Sequence, residues 1–273
     1  EYKLIDGAAD YDEIGINYRE DTVSIEDYIS MSKEKKEKAK DTIAVINLEG
    51  VIDVRNPKKN ITYENVCDKL EILEKIKNLK GLVLRINSPG GSALVSEKIY
   101  KKLKKLTVPI YISMGDVCAS GGYYIATTGK KLFANNFTLT GSIGVVMMYP
   151  EVVGTMKKLD VNLEGFGKGA GFDMLNPFEK LGEDSKEKLI QNMNEVYGEF
   201  KEHVMVARGM NDEELEKIAQ GRVWLGSEAK NINLVDEIGT LEDCIKSMAN
   251  DLKLDKYKVK IVKLTQTFKE TLS

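Results

Sequence analysis

The stretch Ile110-Tyr111-Ile112-Ser113-Met114-Gly115-Asp116-Val117-Cys118-Ala119-Ser120-Gly121-Gly122-Tyr123-Tyr124-Ile125-Ala126-Thr127-Thr128 decides the fold. Ile110 to Met114 is a short apolar run of the kind that forms a buried strand. Gly121 to Thr128 reads as a helix, and Cys118 to Gly122 is a loop of small residues joining the two. The same unit stands upstream. Ile43 to Leu48 and Leu82 to Ile86 are further apolar strands; the second leads into Asn87-Ser88-Pro89-Gly90-Gly91 and a helix over Ser96 to Leu106, followed by Pro109. Val66, Leu70, Leu73, Ile76 and Leu79 recur at helical spacing, which predicts a helix over Asn65 to Lys80 stopped by Gly81. Lys131 to Ala134 reads as a fourth, short strand. Strands alternating with helices of this length argue for an α/β fold with a mostly parallel sheet. Such sheets carry their working loops at the carboxyl ends of the strands, and both Gly-rich loops fall there.

Beyond this centre, a helical pattern runs from Glu183 to Arg208, with Leu189, Met193, Val196, Phe200 and Val204 as its apolar stripe. Asn211 reads as the N-cap of a short helix reaching Gln220. Ser227 to Lys230 and Leu241 to Leu252 add two helices, and Tyr257 to Leu264 alternates as a final edge strand. The charge run Ser32 to Lys40 reads as a solvated linker. The expected organisation is a linker over 1–40, the main domain over 41–252, and an edge strand with a tail over 253–273. Leu4-Ile5-Asp6 and Tyr11-Asp12-Glu13 echo Leu234-Val235-Asp236 and Leu241-Glu242-Asp243 at one offset. If that is a repeat, the first residues are the tail of an earlier copy.

Composition removes several classes. The 273 residues carry 40 Lys and Arg against 43 Asp and Glu, net −3. That excludes a generally basic nucleic-acid binder. No apolar run approaches the roughly 18 residues of a membrane span. Cys67, Cys118 and Cys244 make neither a disulfide framework nor a zinc site. His203 is the single histidine, so any histidine-based triad or metal centre would have to use it.

Ser120 falls at a strand-to-helix junction, where free backbone N–H groups favour developing negative charge. That suits a nucleophile, with the Gly121 N–H as one oxyanion donor; by itself the position also suits a plain helix cap. Pro89-Gly90-Gly91 makes a tight turn able to expose a second N–H. Thr140-Gly141-Ser142-Ile143-Gly144 holds a hydroxyl able to orient an amine or a water, or is a structural turn. A serine nucleophile needs a base. His203 sits in the charged stretch Lys201-Glu202-His203 and reads as structural, which leaves a lysine whose charge is disfavoured by burial.

Asn87–Gly91, Ala119–Ala126, Thr140–Gly144 and Gln220-Gly221-Arg222-Val223-Trp224-Leu225-Gly226, in this order, resemble the signal peptide peptidase A family of the protease IV type, from about Ile43 to Leu252. The resemblance implies a ClpP/crotonase-like fold with a helical carboxy-terminal section used in assembly, and a serine peptidase with a Ser-Lys dyad. It makes Ser120 the nucleophile, Gly91 and Gly121 the oxyanion donors, and Ser142 the residue that orients the lysine. It further implies cleaved signal peptides as substrates, no metal or organic cofactor, a homo-oligomer, a tetramer for a tandem member, and membrane attachment upstream with the active site on the extracytoplasmic side. Two rivals are a crotonase-like acyl-CoA enzyme, which works with a Glu or Asp, and a non-catalytic scaffold that has lost its base.

The lysine is where the chain departs from the family. Single-domain members carry a Lys-Asp pair about 50 residues after the serine. Here Asp173 matches the aspartate, but Phe172 stands in the lysine's place and Lys168 comes four residues early. Long tandem members take the lysine from an amino-terminal half and the serine from a carboxy-terminal half. The expectation is therefore that this chain is a carboxy-terminal half and that Lys168, among flanking glycines, is not the base; the alternative is that Lys168 slides into place in a remodelled loop and serves as an in-chain base.

Overall fold

The computed structural model describes residues 39–162, 168 and 176–264. The expected linker and repeat tail over 1–38, and residues 265–273, lie outside them. The sheet has eight strands: β1 (Asp41–Glu49), β2 (Leu79–Ser88), β3 (Ile110–Ala119), β4 (Lys131–Ala134), β5 (Leu139–Gly141), β6 (Val223–Leu225), β7 (Glu237–Ile238) and β8 (Tyr257–Val262). The main order is β6-β5-β3-β2-β1-β8, with β4 on the lower half of β3 and β7 beside β4. All pairs are parallel except β5 with β6.

Helices cover both faces, so the central strands are apolar on both sides rather than alternating. Ala44, Ile46 and Leu48 of β1 join the larger core, with Leu84 and Ile86 of β2 and Ile112 and Met114 of β3. The helices α1 (Tyr63–Glu74), α2 (Ala93–Leu103) and α3 (Gly121–Ala126) contribute to that side, as does the long α5 (Glu183–Arg208) through Phe200 and Val204. Ile43, Val45, Val83 and Tyr111 face the other way, against Cys244, Met248 and Ala249 of α8 (Leu241–Asp251). Three short helices complete the described elements: α4 (Val153–Lys158), α6 (Asp212–Glu216) and α7 (Gly226–Asn231).

Several boundaries differ from the sequence reading for physical reasons. The first helix ends at Glu74, not Lys80, and Leu79 already belongs to β2. Gly81 is inside β2 rather than a helix stop. A Cβ there would stand 2.4 Å from the Met248 sulfur, so the glycine lets α8 lie close on the sheet. α2 starts at Ala93, capped by Ser92, whose hydroxyl accepts the Val95 N–H. β3 does not stop at Met114. It bulges, so that Ser88 pairs with Cys118, and the Asn87 side chain accepts the Val117 N–H at 3.1 Å across the bulge. Five further residues of strand thereby carry the chain to Ser120. The stripe on α5 is divided: Phe200 and Val204 are buried in the core, while Met193 and Val196 are half-buried. Its apolar character is thus explained within the chain and gives no independent argument for assembly.

One ion pair fastens the carboxy-terminal helices to the sheet. Arg208, at the end of α5, bonds both Asp236 oxygens at 2.9 Å and the Asn233 carbonyl at 2.6 Å. Asp236 also accepts the Leu132 N–H of β4 at 2.7 Å. The Arg208 side chain is 4% exposed and that of Asp236 30%. Breaking such a pair from one side leaves the other charge without its partner, at about 3–5 kcal/mol when fully buried. With Asp236 partly solvated, Arg208→Ala is expected to cost about 3 kcal/mol, read as a lower denaturant midpoint with an unchanged slope.

Candidate active site

β3 ends at Ala119 and α3 begins at Gly121, so Ser120 alone makes the corner. Its backbone sits at φ 51°, ψ −123°, a conformation costing a residue with a Cβ about 1–3 kcal/mol. Two backbone bonds hold it there: the Ser120 N–H donates to the Gly141 carbonyl at 2.9 Å, and its carbonyl accepts the Tyr124 N–H at 2.8 Å. The side chain makes no capping hydrogen bond. Ser120 thus caps the helix through its backbone alone, and its half-buried side chain borders a cavity.

The turn after β2 closes over this corner. Gly90 and Gly91 have φ of 96° and 146°. The Gly90 N–H is held by the buried Ser88 hydroxyl at 3.1 Å. Ile52, a residue that the sequence reading left unassigned, latches the turn from outside: its N–H donates to Gly90 and its carbonyl accepts from Ser92, at 2.8 and 2.7 Å. A Cβ on Gly90 would stand 2.6 Å from the Gly121 nitrogen, and one on Gly91 2.1 Å from the Ile52 carbonyl oxygen. Only glycines let the two loops approach this closely. The Gly121 N–H opens a helix and has no intrahelical acceptor. Among the described residues neither it nor the Gly91 N–H meets a backbone acceptor.

Thr140–Gly144 is part of the sheet rather than a free turn. Leu139 to Gly141 pair antiparallel with Val223 to Leu225. Beyond the pair, the Ser142 N–H donates to the Arg222 carbonyl at 2.7 Å and the Gly221 N–H to Ile143 at 2.9 Å. Two motifs about 80 residues apart in the chain therefore form one structure. Val223-Trp224-Leu225 between glycines was the signal for a strand here.

A cavity of about 710 Å³ brings Ser120, Gly91, Gly121 and Ser142 to one wall. Val145, Val146, Met193, Val196 and Phe200 line much of the rest. Among the described residues no Lys, Arg, His, Asp or Glu borders it. The volume falls in the range of small-molecule and peptide sites.

A model of the Clp protease family matches residues 34–143, and that of peptidase family S49 matches residues 102–255, more than half of the chain. The chain belongs to peptidase family S49. It is 33% identical to Protease 4 of Haemophilus influenzae over 85% of its own length, and 34% identical to a putative signal peptide peptidase SppA of Enterococcus faecium over 72%. It spans only 38% and 58% of those proteins. A substrate complex of the 1510-N membrane-bound stomatin-specific protease has a TM-score of 0.55 at 15% identity, covering 86% of this chain and 96% of that one. ClpP1 of Listeria monocytogenes scores 0.50 at 18% identity, covering 74% and 94%. The α/β fold is thus the ClpP-like one expected.

Among the described residues no lysine or histidine borders the cavity that holds Ser120. Lys168 is exposed and does not line the cavity, while Phe172 and Asp173 lie outside the described residues. Lys201, one helical turn from the cavity-lining Tyr197, is held charged: hydrogen bonds to Asp212 and Glu216 at 2.7 and 2.9 Å raise its pKa above the ordinary value. Burial pushes the Tyr124 phenol far above its usual range, and its bond to Glu97 adds to this. His203 stacks on Tyr100 at 4.0 Å, away from the cavity wall, in the structural role expected.

The close approach of the two loops is directly testable. Gly90→Ala is expected to lose about 2 kcal/mol, from positive φ and the clash with Gly121. Gly198→Ala is the control: nothing lies within 4 Å of its added Cβ on α5, and it is expected to gain about 1 kcal/mol. Thermal unfolding of the pair compares them; equal midpoints would contradict the packing described.

Proposed function

We propose that this chain carries the nucleophile of a serine peptidase that cleaves apolar peptides, cleaved signal peptides among them, through a Ser-Lys dyad. The observation that carries the reading is the Ser120 hydroxyl, free of any capping bond, in a cavity that it shares with two glycine N–H groups. Ser120 Oγ attacks the scissile carbonyl carbon as the base takes its proton. The oxyanion receives hydrogen bonds from Gly91 and Gly121, donors fixed in place before the charge develops. Collapse of this intermediate breaks the C–N bond, and the base returns its proton to the leaving amine. Water, deprotonated by the same base, then releases the acyl group from Ser120.

The base in this reading is a neutral lysine amine steadied by the Ser142 hydroxyl. In this proposal it enters from an amino-terminal half; that no lysine among the described residues borders the cavity is consistent with this. The cavity suits it: among the described residues its lining carries no charge and includes Met193, Val196 and Phe200, a setting that disfavours the ammonium form and lowers a lysine pKa. The same wall suits an apolar peptide. Among the described residues no carboxylate borders it, which speaks against the acyl-CoA alternative. Attachment to a membrane through another segment and assembly into a homo-oligomer complete the proposal; no described helix is long and apolar enough to cross a membrane.

Two experiments test this. In the complete protein, Ser120→Ala is expected to remove more than about 10³ of the hydrolysis rate with stability unchanged within about 0.5 kcal/mol, since its hydroxyl caps nothing. Near-normal turnover in this variant would sink the assignment. The chain alone is expected to be nearly silent and to gain activity on mixing with the amino-terminal half. Activity of the chain alone that vanishes in Lys168→Ala would place the base in this chain instead.

A further inference from the structure

Glu97, on the second turn of α2, lies outside the cavity lining and gathers three partners. The Tyr124 hydroxyl donates to its Oε2 at 2.5 Å, His203 Nε2 lies 3.3 Å from the same oxygen, and the Lys101 ammonium is 2.5 Å from Oε1. Its side chain is 13% exposed. Burial pushes its pKa up, but the bonds from Lys101 and Tyr124, with the charges of Lys101 and His203, outweigh this and hold the carboxyl below its usual range. Glu97, Glu199 and His203 have the spacing of a metal site, their donor atoms lying within 4.8 Å of one another. Lys101 already stands between the carboxylates, 4.0 Å from Glu199, so the cation of this cluster is a lysine.

What the cluster fastens is informative. α2 follows directly from Gly91, and α3 from Ser120. Tyr124 is in the first turn of α3 and borders the cavity. From α3 its ring centre lies 4.9 Å from that of Phe200, 5.0 Å from His203 and 5.7 Å from Tyr100, so it packs against both α2 and α5. The Tyr124–Glu97 bond is thus a direct polar tie between the helix behind one oxyanion donor and the helix behind the other.

We propose that Tyr124 and Glu97 are positioning residues, setting the separation of the Gly91 and Gly121 N–H groups, with His203 and Lys101 fixing the carboxylate. This rests on the reading of Ser120 as nucleophile. A brace of this kind acts where the oxyanion forms and not on ground-state binding, so its loss lowers kcat and leaves KM. Small misplacements of catalytic groups reduce rates severely.

The test uses the complete, active protein and an apolar peptide. Tyr124→Phe keeps the ring and its packing and removes only the hydroxyl. It is expected to lower kcat about tenfold with KM unchanged within about twofold. Glu97→Ala should match it, and the double variant should be no worse than either single one, since both break one bond. Glu97→Gln, which keeps an acceptor for the phenol, should recover most of the rate. Wild-type kcat in Tyr124→Phe and Glu97→Ala, a loss confined to KM, or fully additive losses would overturn the proposal, whatever the thermal midpoints do. Ser120→Ala run alongside separates the two readings. If it stays active the nucleophile assignment fails; if it is dead while Tyr124→Phe is normal, only the brace fails.

Discussion

The hydrogen bond from the Ser120 N–H to the Gly141 carbonyl is the constraint on which the site depends. Without it, a serine at φ 51° would relax toward ordinary backbone and turn its hydroxyl out of the cavity. That bond needs β5 to lie beside the upper half of β3, which in turn needs β4 to occupy only the lower half. The forked neighbourhood of β3 is therefore a requirement of the corner at Ser120. The bulge between Met114 and Cys118 serves the same end, because it carries the strand beyond its apolar run to the sheet edge where the loops meet.

The layout of the sheet was legible because its strands are buried on both faces. Runs such as Ile43 to Leu48 and Leu82 to Ile86 cannot be amphipathic helices of useful length, and they stand between helical stripes. The helix ends were less legible. Leu79 and Gly81 continue the apolar pattern of α1 into β2, and only the close packing of Met248 over Gly81 shows why a glycine is there. The extension of β3 was hidden for a different reason. Gly115 and Asp116 are poor strand formers, and the strand is held on either side of Asp116 by side chains distant in the sequence: the Thr138 hydroxyl donates to the Gly115 carbonyl and Asn87 accepts the Val117 N–H.

Of the site, the glycines and Ser120 could be picked out because their chemistry is local: a corner, a turn, an exposed N–H. What could not be read is whatever depends on tertiary pairing. Ile52 has no motif, yet it holds Gly90 and Ser92 in place. Thr140–Gly144 and Gln220–Gly226 were each visible, but their antiparallel pairing joins elements separated by the whole of α5. Met193 and Val196 read only as part of a helical apolar stripe, since a helical period cannot tell a cavity wall from a core face.

The charge-free cavity has a consequence for how the chemistry is controlled. A serine hydroxyl without a base is a weak nucleophile, and among the described residues no Lys, Arg, His, Asp or Glu borders the cavity of Ser120; in the proposed reaction the serine works only once an amine stands beside it. The apolar wall then acts in both directions. In the proposed reaction it would disfavour an incoming ammonium unless the charge is lost, which is what a general base requires, and it would give an apolar peptide a surface to bury. In that reaction a neutral amine and an apolar substrate would both be favoured by the same side chains, Met193, Val196 and Phe200. Substituting a carboxylate into that wall would oppose both, by stabilising the ammonium and by drawing water in, even though it would touch neither Ser120 nor the glycines.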